Sequence, residues 1–159
     1  MQNTKPVVLF DIDYTLFDTA LFKQSELSKS RIYEEVFHVL DNLSNSVTLG
    51  IFSKGETLFQ KTKLEKTGIM KFFKKENVHI FDDKDINLVK IIDKYKGFKI
   101  FFVDDKLEIL YSAKKYMPQI ITVWVKRGPY AKTQVPIENF TPNVTIDNLS
   151  NLYNIVSSN

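Results

Sequence analysis

The sequence predicts an α/β protein built on a doubly wound parallel sheet. Three observations carry this. Short apolar runs alternate with helix-length amphipathic segments along the whole chain, the pattern of strands joined by helical crossovers. No repeat, low-complexity tract or Pro/Gly-rich linker interrupts them, so residues 1–159 read as one domain. Several apolar runs end abruptly in acids or a hydroxyl, as strands do when their carboxyl ends meet at one rim.

The first run, Val7 to Phe10, reads as a buried strand that stops at Asp11. The segment RIYEEVFHVLDNL, from Arg31 to Leu43, places Ile32, Val36, Val39, Leu40 and Leu43 at helical spacing. Residues 16–30 before it read as a loop or short helix. VTLGIF (47–52) is a strand that stops at Ser53, and SKGETLFQKTKLEKTG is a turn and a helix closed by Gly68. VHIF (78–81) is a strand that stops at Asp82, with a helix from Asp85 to Gly97 after it. KIFFV (99–103) runs into Asp104 and Asp105, and the next helix ends before Pro118. ITVWV (121–125) is another strand, and VTIDNLSNLYNIV reads as a short strand and a final helix.

Composition narrows the class. The chain is 43% hydrophobic and 26% charged, the mix of a globular protein with one sizeable core. It has no apolar run long enough to span a bilayer, and its start does not read as a secretory signal. The absence of cysteine excludes disulfides and thiolate metal sites. These features set the expectation of a cytoplasmic protein with no membrane partner. The net charge of +3 comes with scattered lysines, so nucleic acid is expected only as a substrate. His38 and His79 have no partner pattern and read as structural, and most of the 13 Phe and 7 Tyr read as core.

If the four strands are parallel, Asp11, Asp13, Ser53, Lys84, Asp104 and Asp105 share one rim. Crowded carboxylates repel, by about 4 kcal/mol per pair at ~4 Å and an effective dielectric of about 20. Such a group binds a cation, shares protons or is not crowded. An all-oxygen cluster favours a hard ion, with Mg²⁺ the default beside phosphate. Each residue has a plainer reading as well. Asp11 and Asp13 fit a capping turn, and Ser53 fits a helix N-cap with Glu56 three places on. Asp104–Asp105 fit an N-cap, and Asp82 and Asp83 fit capping or solvation.

The order of the pieces FDIDYT, FSKGE, FDDKD and FVDDK resembles that of the haloacid dehalogenase (HAD) superfamily. KLEKTGIMKFF and TVWVKRGPY are similar to its flanking segments, so the resemblance spans roughly residues 5 to 155. It implies a Rossmann-like core and a Mg²⁺-dependent phosphatase acting on a phosphorylated substrate. Asp11 would be the nucleophile that forms an aspartyl-phosphate, and Asp13 the general acid and then the base. Thr15 would orient Asp13. Ser53 and Lys84 would hold the phosphate, with Lys54 beside them. Asp105 would be the direct metal ligand and Asp104 would act through water, together with Asp11 and the backbone carbonyl of Asp13. An acid at position 13 accompanies phosphate-ester chemistry in the family, whereas dehalogenases and phosphonatases lack it.

Further expectations follow. Neighbouring carboxylates should raise the pKa of Asp13, giving a neutral to mildly acidic optimum. The 16–30 segment leaves no room for a large cap, so the site should be open, admit large substrates, or be closed by a partner subunit. Lys126 and Arg127 are candidate rim contacts, and Tyr14 either faces the pocket or packs beneath it. Two other classes remain open: a phospho-signalling receiver domain, and a HAD-fold binding module without turnover. Motif order speaks against the first and the intact motif set against the second. The sequence leaves the oligomeric state open.

Overall fold

A computed structural model describes residues 4–159. Six parallel strands form one sheet: β1 (Val7–Phe10), β2 (Thr48–Lys54), β3 (Val78–Phe81), β4 (Ile100–Asp104), β5 (Ile121–Val125) and β6 (Val144–Ile146). Their spatial order is β3-β2-β1-β4-β5-β6, so the chain winds outward from β1 in both directions. Seven helices connect and cover them: α1 (Thr19–Gln24), α2 (Val36–Ser44), α3 (Thr57–Lys66), α4 (Lys84–Lys94), α5 (Leu107–Tyr116), α6 (Gly128–Thr133) and α7 (Leu152–Ser158).

Both faces of the sheet are covered. Val8 and Phe10 of β1 pack with Leu40 and Leu43 of α2, Leu64 of α3 and Leu152 of α7. Val7 and Leu9 point the other way, into Leu88 and Ile91 of α4 and Leu110 and Ala113 of α5. This explains why β1 is apolar at every position rather than at alternate ones. Burying each such side chain contributes about 1.5–3 kcal/mol, so the central strand is firmly held.

The register sets the site. Phe10 stands opposite Ile51 on one side and Val103 on the other. One residue further on, Asp11 therefore lies level with Asp104, and its N–H donates to the Val103 carbonyl at 3.0 Å.

Some boundaries differ from the sequence reading. The α2 helix begins at Val36, not Arg31. Ile32 pairs instead with Phe17 in an isolated bridge, which ties the start of the 16–30 segment to the domain. That segment contains the short α1, capped by the Asp18 carboxylate accepting from the Leu21 N–H. Glu56 caps α3 through the Leu58 and Phe59 N–H groups, so Ser53 is not a helix cap but a β2 residue. Asp83 caps α4, which starts at Lys84. The α6 helix, opened by Gly128-Pro129, was not foreseen. Between β1 and β2 lie only α1 and α2, so the core carries no large cap. No described helix is long and apolar enough to cross a membrane.

Candidate active site

A cavity of about 640 Å³ opens at the carboxyl ends of the central strands. Asp11, Asp13, Lys54, Lys84, Asp104 and Asp105 all line it. Oxygens of Asp11, Asp104 and Asp105 lie within 4.8 Å of one another, and all three residues are buried. Lys84, at the first turn of α4, reaches into the cluster from the β3 side. Its Nζ is 3.1 Å from Asp11 Oδ1 and 2.5 Å from Asp104 Oδ2. Its ammonium also lies 5.1 Å from the Phe52 ring centroid and 5.4 Å from that of Phe102. These apolar walls keep water away and strengthen each charge–charge interaction.

One ammonium does not balance three buried acids. Burial is the main cause that pushes Asp11 up to about 7; Lys84 pulls it down, and Asp104 and Asp13 push it up. Burial also drives Asp105 up to about 9, with Asp11 and Asp104 adding to the rise. Lys84 moves up as well: burial lowers it, but Asp104 and Asp11 outweigh that and keep it charged. Asp105 Oδ2 is buried and has no hydrogen-bond partner among the described residues. An orphaned carboxylate oxygen beside two further carboxylates, with no nitrogen or sulfur donor, fits a hard divalent cation such as Mg²⁺.

Asp13 has a different environment, which corrects the sequence reading. Lys63 Nζ lies 2.7 Å from its Oδ1. Thr19 Oγ1 donates to the same oxygen at 2.8 Å, and Gln60 Nε2 donates to Oδ2 at 2.8 Å. Burial pushes Asp13 up, but Lys63 and these hydrogen bonds win, so its pKa is lowered rather than raised. Neighbouring carboxylates do not dominate, because the side chain turns away from them toward α3. Its carboxylate is not part of the three-acid group.

The loop that divides the two acids is tight. The Ile12 carbonyl accepts from the N–H groups of Thr15, Leu16 and Phe17, and Tyr14 sits at φ 59. Tyr14 is buried yet lines the cavity, its ring 6.1 Å from Tyr130 in a T-shaped contact.

Other expectations move. Thr15 does not bond Asp13: its buried Oγ1 has no partner among the described residues, and Thr19 makes the bond instead. Ser53 is fully buried and is not among the cavity residues; Gln60 Nε2 approaches its Oγ at 3.4 Å. Arg127 is not a rim residue. It pairs with Glu35 at 2.6 Å, donates to the Thr15 carbonyl and stacks 3.7 Å from the Tyr33 ring centroid. It braces the Asp13 loop from behind. Lys126 lies over Trp124, outside the cavity. His79 bonds the Tyr95 hydroxyl and His38 bonds Asn42, both structural as read.

Gln60, Lys63 and Thr19 escaped the sequence reading. A signal existed for two of them. Gln60 and Lys63 fall one turn apart on α3, on the face that also buries Leu64. Polar groups on a buried stripe need buried partners.

No family profile matches the sequence, and no curated protein matches it. Solved structures do. A protein from Burkholderia xenovorans, described as a haloacid dehalogenase-like hydrolase, is 20% identical with a TM-score of 0.76, covering 98% of each chain. YfnB from Bacillus subtilis, described as a HAD hydrolase and solved bound to magnesium, is 14% identical with a TM-score of 0.73, over 97% of this chain and 99% of that one. An L-2-haloacid dehalogenase, RSc1362, is 14% identical with a TM-score of 0.72, over 98% and 100%. At these identities the likeness is one of architecture, and the chain has the haloacid dehalogenase-like fold over 97–98% of its length.

Proposed function

We propose that the protein is a member of the HAD superfamily and a Mg²⁺-dependent phosphomonoester hydrolase that works through an aspartyl-phosphate on Asp11. The observation that carries this is the division of labour between two acids two residues apart. Asp11 lies with Lys84, Asp104 and Asp105, while Asp13 is held apart by Lys63, Gln60 and Thr19. A haloacid substrate needs no second acid at position 13; an ester leaving group needs a proton, so Asp13 favours the phosphatase over the dehalogenase.

Asp11, Asp104 and Asp105 would hold Mg²⁺, which when bound offsets their repulsion and the charge of the phosphate. Lys84 and Lys54 supply cationic partners for the phosphoryl oxygens. An Asp11 oxygen attacks phosphorus, and the bond to the ester oxygen breaks. Asp13 in its acid form gives that oxygen its proton. The lowered pKa means that Asp13 rests ionised at neutral pH. The arriving phosphate adds negative charge beside it and competes for Lys63, and both effects favour proton uptake. In the second half, Asp13 takes a proton from water, whose oxygen attacks phosphorus. The bond from phosphorus to Asp11 breaks, releasing inorganic phosphate and restoring both acids.

The test is a panel of phosphomonoesters with Mg²⁺ and with chelator, using wild type and Asp11→Asn. Hydrolysis by wild type should require Mg²⁺, and Asp11→Asn should abolish it without changing the circular-dichroism spectrum. A panel with no hydrolysis under any condition would leave the fold but sink the activity.

A further inference from the structure

The cavity is polar at its floor and aromatic at its mouth. Phe59, on α3, is 46% exposed, and Tyr130, on α6, is 44% exposed. Both line the cavity that holds Asp11. The strand order puts them on opposite sides of the nucleophile, since α3 follows β2 and α6 follows β5, with β1 between. Each ring is backed by another. Phe22 lies 5.9 Å behind Phe59, and Tyr14 lies 6.1 Å from Tyr130. Each also has a lysine against it: Lys63 at 4.9 Å from the Phe59 centroid and Lys106 at 4.4 Å from that of Tyr130. The rings are therefore held in place while their outer faces stay in water. Leu27, 58% exposed and at φ 64, adds a further apolar contact from the segment after α1. Exposed aromatics at the mouth of a polar cavity, anchored and unpaired on one face, are a binding surface for another planar group. The cavity volume is that of a small-molecule site.

Resting on the proposed phosphatase activity, we propose that the preferred substrate is a small phosphomonoester whose leaving group carries a planar aromatic ring, held between Phe59 and Tyr130. An aryl group close to the ester oxygen and a nucleobase spaced by a ribose share this chemistry. Polyhydroxylated sugar phosphates would bury their hydroxyls against these rings without partners, at a cost in affinity.

Intrinsic leaving-group reactivity must be kept constant, so the probes are esters of primary alcohols. Benzyl phosphate and uridine 5′-monophosphate are compared with cyclohexylmethyl phosphate and glycerol 1-phosphate, all with Mg²⁺. A ring-bearing ester should exceed glycerol 1-phosphate in kcat/KM by about tenfold or more, and its saturated analogue by a smaller factor. Which ring-bearing ester leads tells an aryl from a nucleoside source. In Phe59→Ala and Tyr130→Ala, the ratio of ring-bearing ester to glycerol 1-phosphate should fall toward unity. In Tyr153→Ala, an exposed aromatic on α7 away from the cavity, it should not change. Equal kcat/KM for all four esters, or a ratio unchanged in both rim variants, overturns the inference. If wild type hydrolyses none of them, the phosphatase reading fails and binding decides the substrate class. Benzylphosphonate should then bind at least about tenfold tighter than methylphosphonate by calorimetry, and lose that margin in the rim variants. Equal affinity would contradict the inference.

Discussion

Asp11 sits among two further buried acids and one lysine, while Asp13, two residues later, accepts from Lys63, Gln60 and Thr19. The sign of each shift follows from these partners rather than from the shared label of a carboxylate. Asp11 goes up and Asp13 goes down. Lys63 is the largest pull on Asp13. Lys63→Met should let Asp13 hold its proton to higher pH and should move the alkaline limb of the kcat–pH profile upward. It should also lower kcat by about tenfold or more, because the base step loses its oriented carboxylate. A profile that does not move would separate Lys63 from proton transfer.

The acids themselves could be picked out of the sequence, because four apolar residues, Val7 to Phe10, run straight into Asp11 and buried strands seldom end so. Their protonation states could not. Lys63 and Gln60 are about fifty residues from Asp13 in the chain, and only the packing of α3 brings them there. Thr15 and Thr19 illustrate the same limit. Both hydroxyls lie near the loop in sequence, and the sharp turn around the Ile12 carbonyl selects the farther one.

At the scale of elements, the strands were the readable part. The apolar runs of the central strands β1 and β4 are dictated by burial on both faces, and β3 and β5 have the expected bounds. Helix starts were less readable, because capping depends on which acid the local turn presents: Glu56 rather than Ser53, and Asp83 rather than Asp85. The least readable element, α6, places Gly128 directly behind the loop that carries Asp13 and Tyr14. A Cβ there would come within 2.4 Å of the Tyr14 ring, at a φ of 81 that disfavours any side chain. Gly128→Ala should cost roughly 2–4 kcal/mol in urea unfolding, the sum of backbone strain and overpacking. It should lower kcat as well, since Tyr14 adjoins Asp13. A variant of wild-type stability would mean that α6 gives way freely.

For the whole molecule, the three-acid cluster couples folding to pH and, on the proposed function, to metal. Asp11 and Asp105 have folded pKa values of about 7 and about 9 against 3.8 for an ordinary aspartate. The native state therefore holds protons that the unfolded chain has released. Their contribution to stability is fully present below 3.8 and is lost as pH rises through 7 and then 9. The metal-free protein should thus lose melting temperature between about pH 5 and about pH 9. On the proposed function Mg²⁺ should reverse the loss, because it would bind the folded, ionised cluster. Near neutral pH its binding should release roughly one to two protons, read by calorimetry in buffers of different ionisation enthalpy. No proton release, or a Tm that is indifferent to Mg²⁺ at alkaline pH, would argue against a metal at these acids.

In the proposed mechanism Asp11 becomes covalently phosphorylated during turnover. Acid quenching during hydrolysis of a phosphomonoester, followed by peptide mapping in a tandem mass spectrometer, tests it most directly. One phosphoryl group should be found on Asp11 when Mg²⁺ is present, and none with chelator or in Asp11→Asn. Hydrolysis with the phosphoryl group on another residue, or turnover that persists in Asp11→Asn, would contradict it.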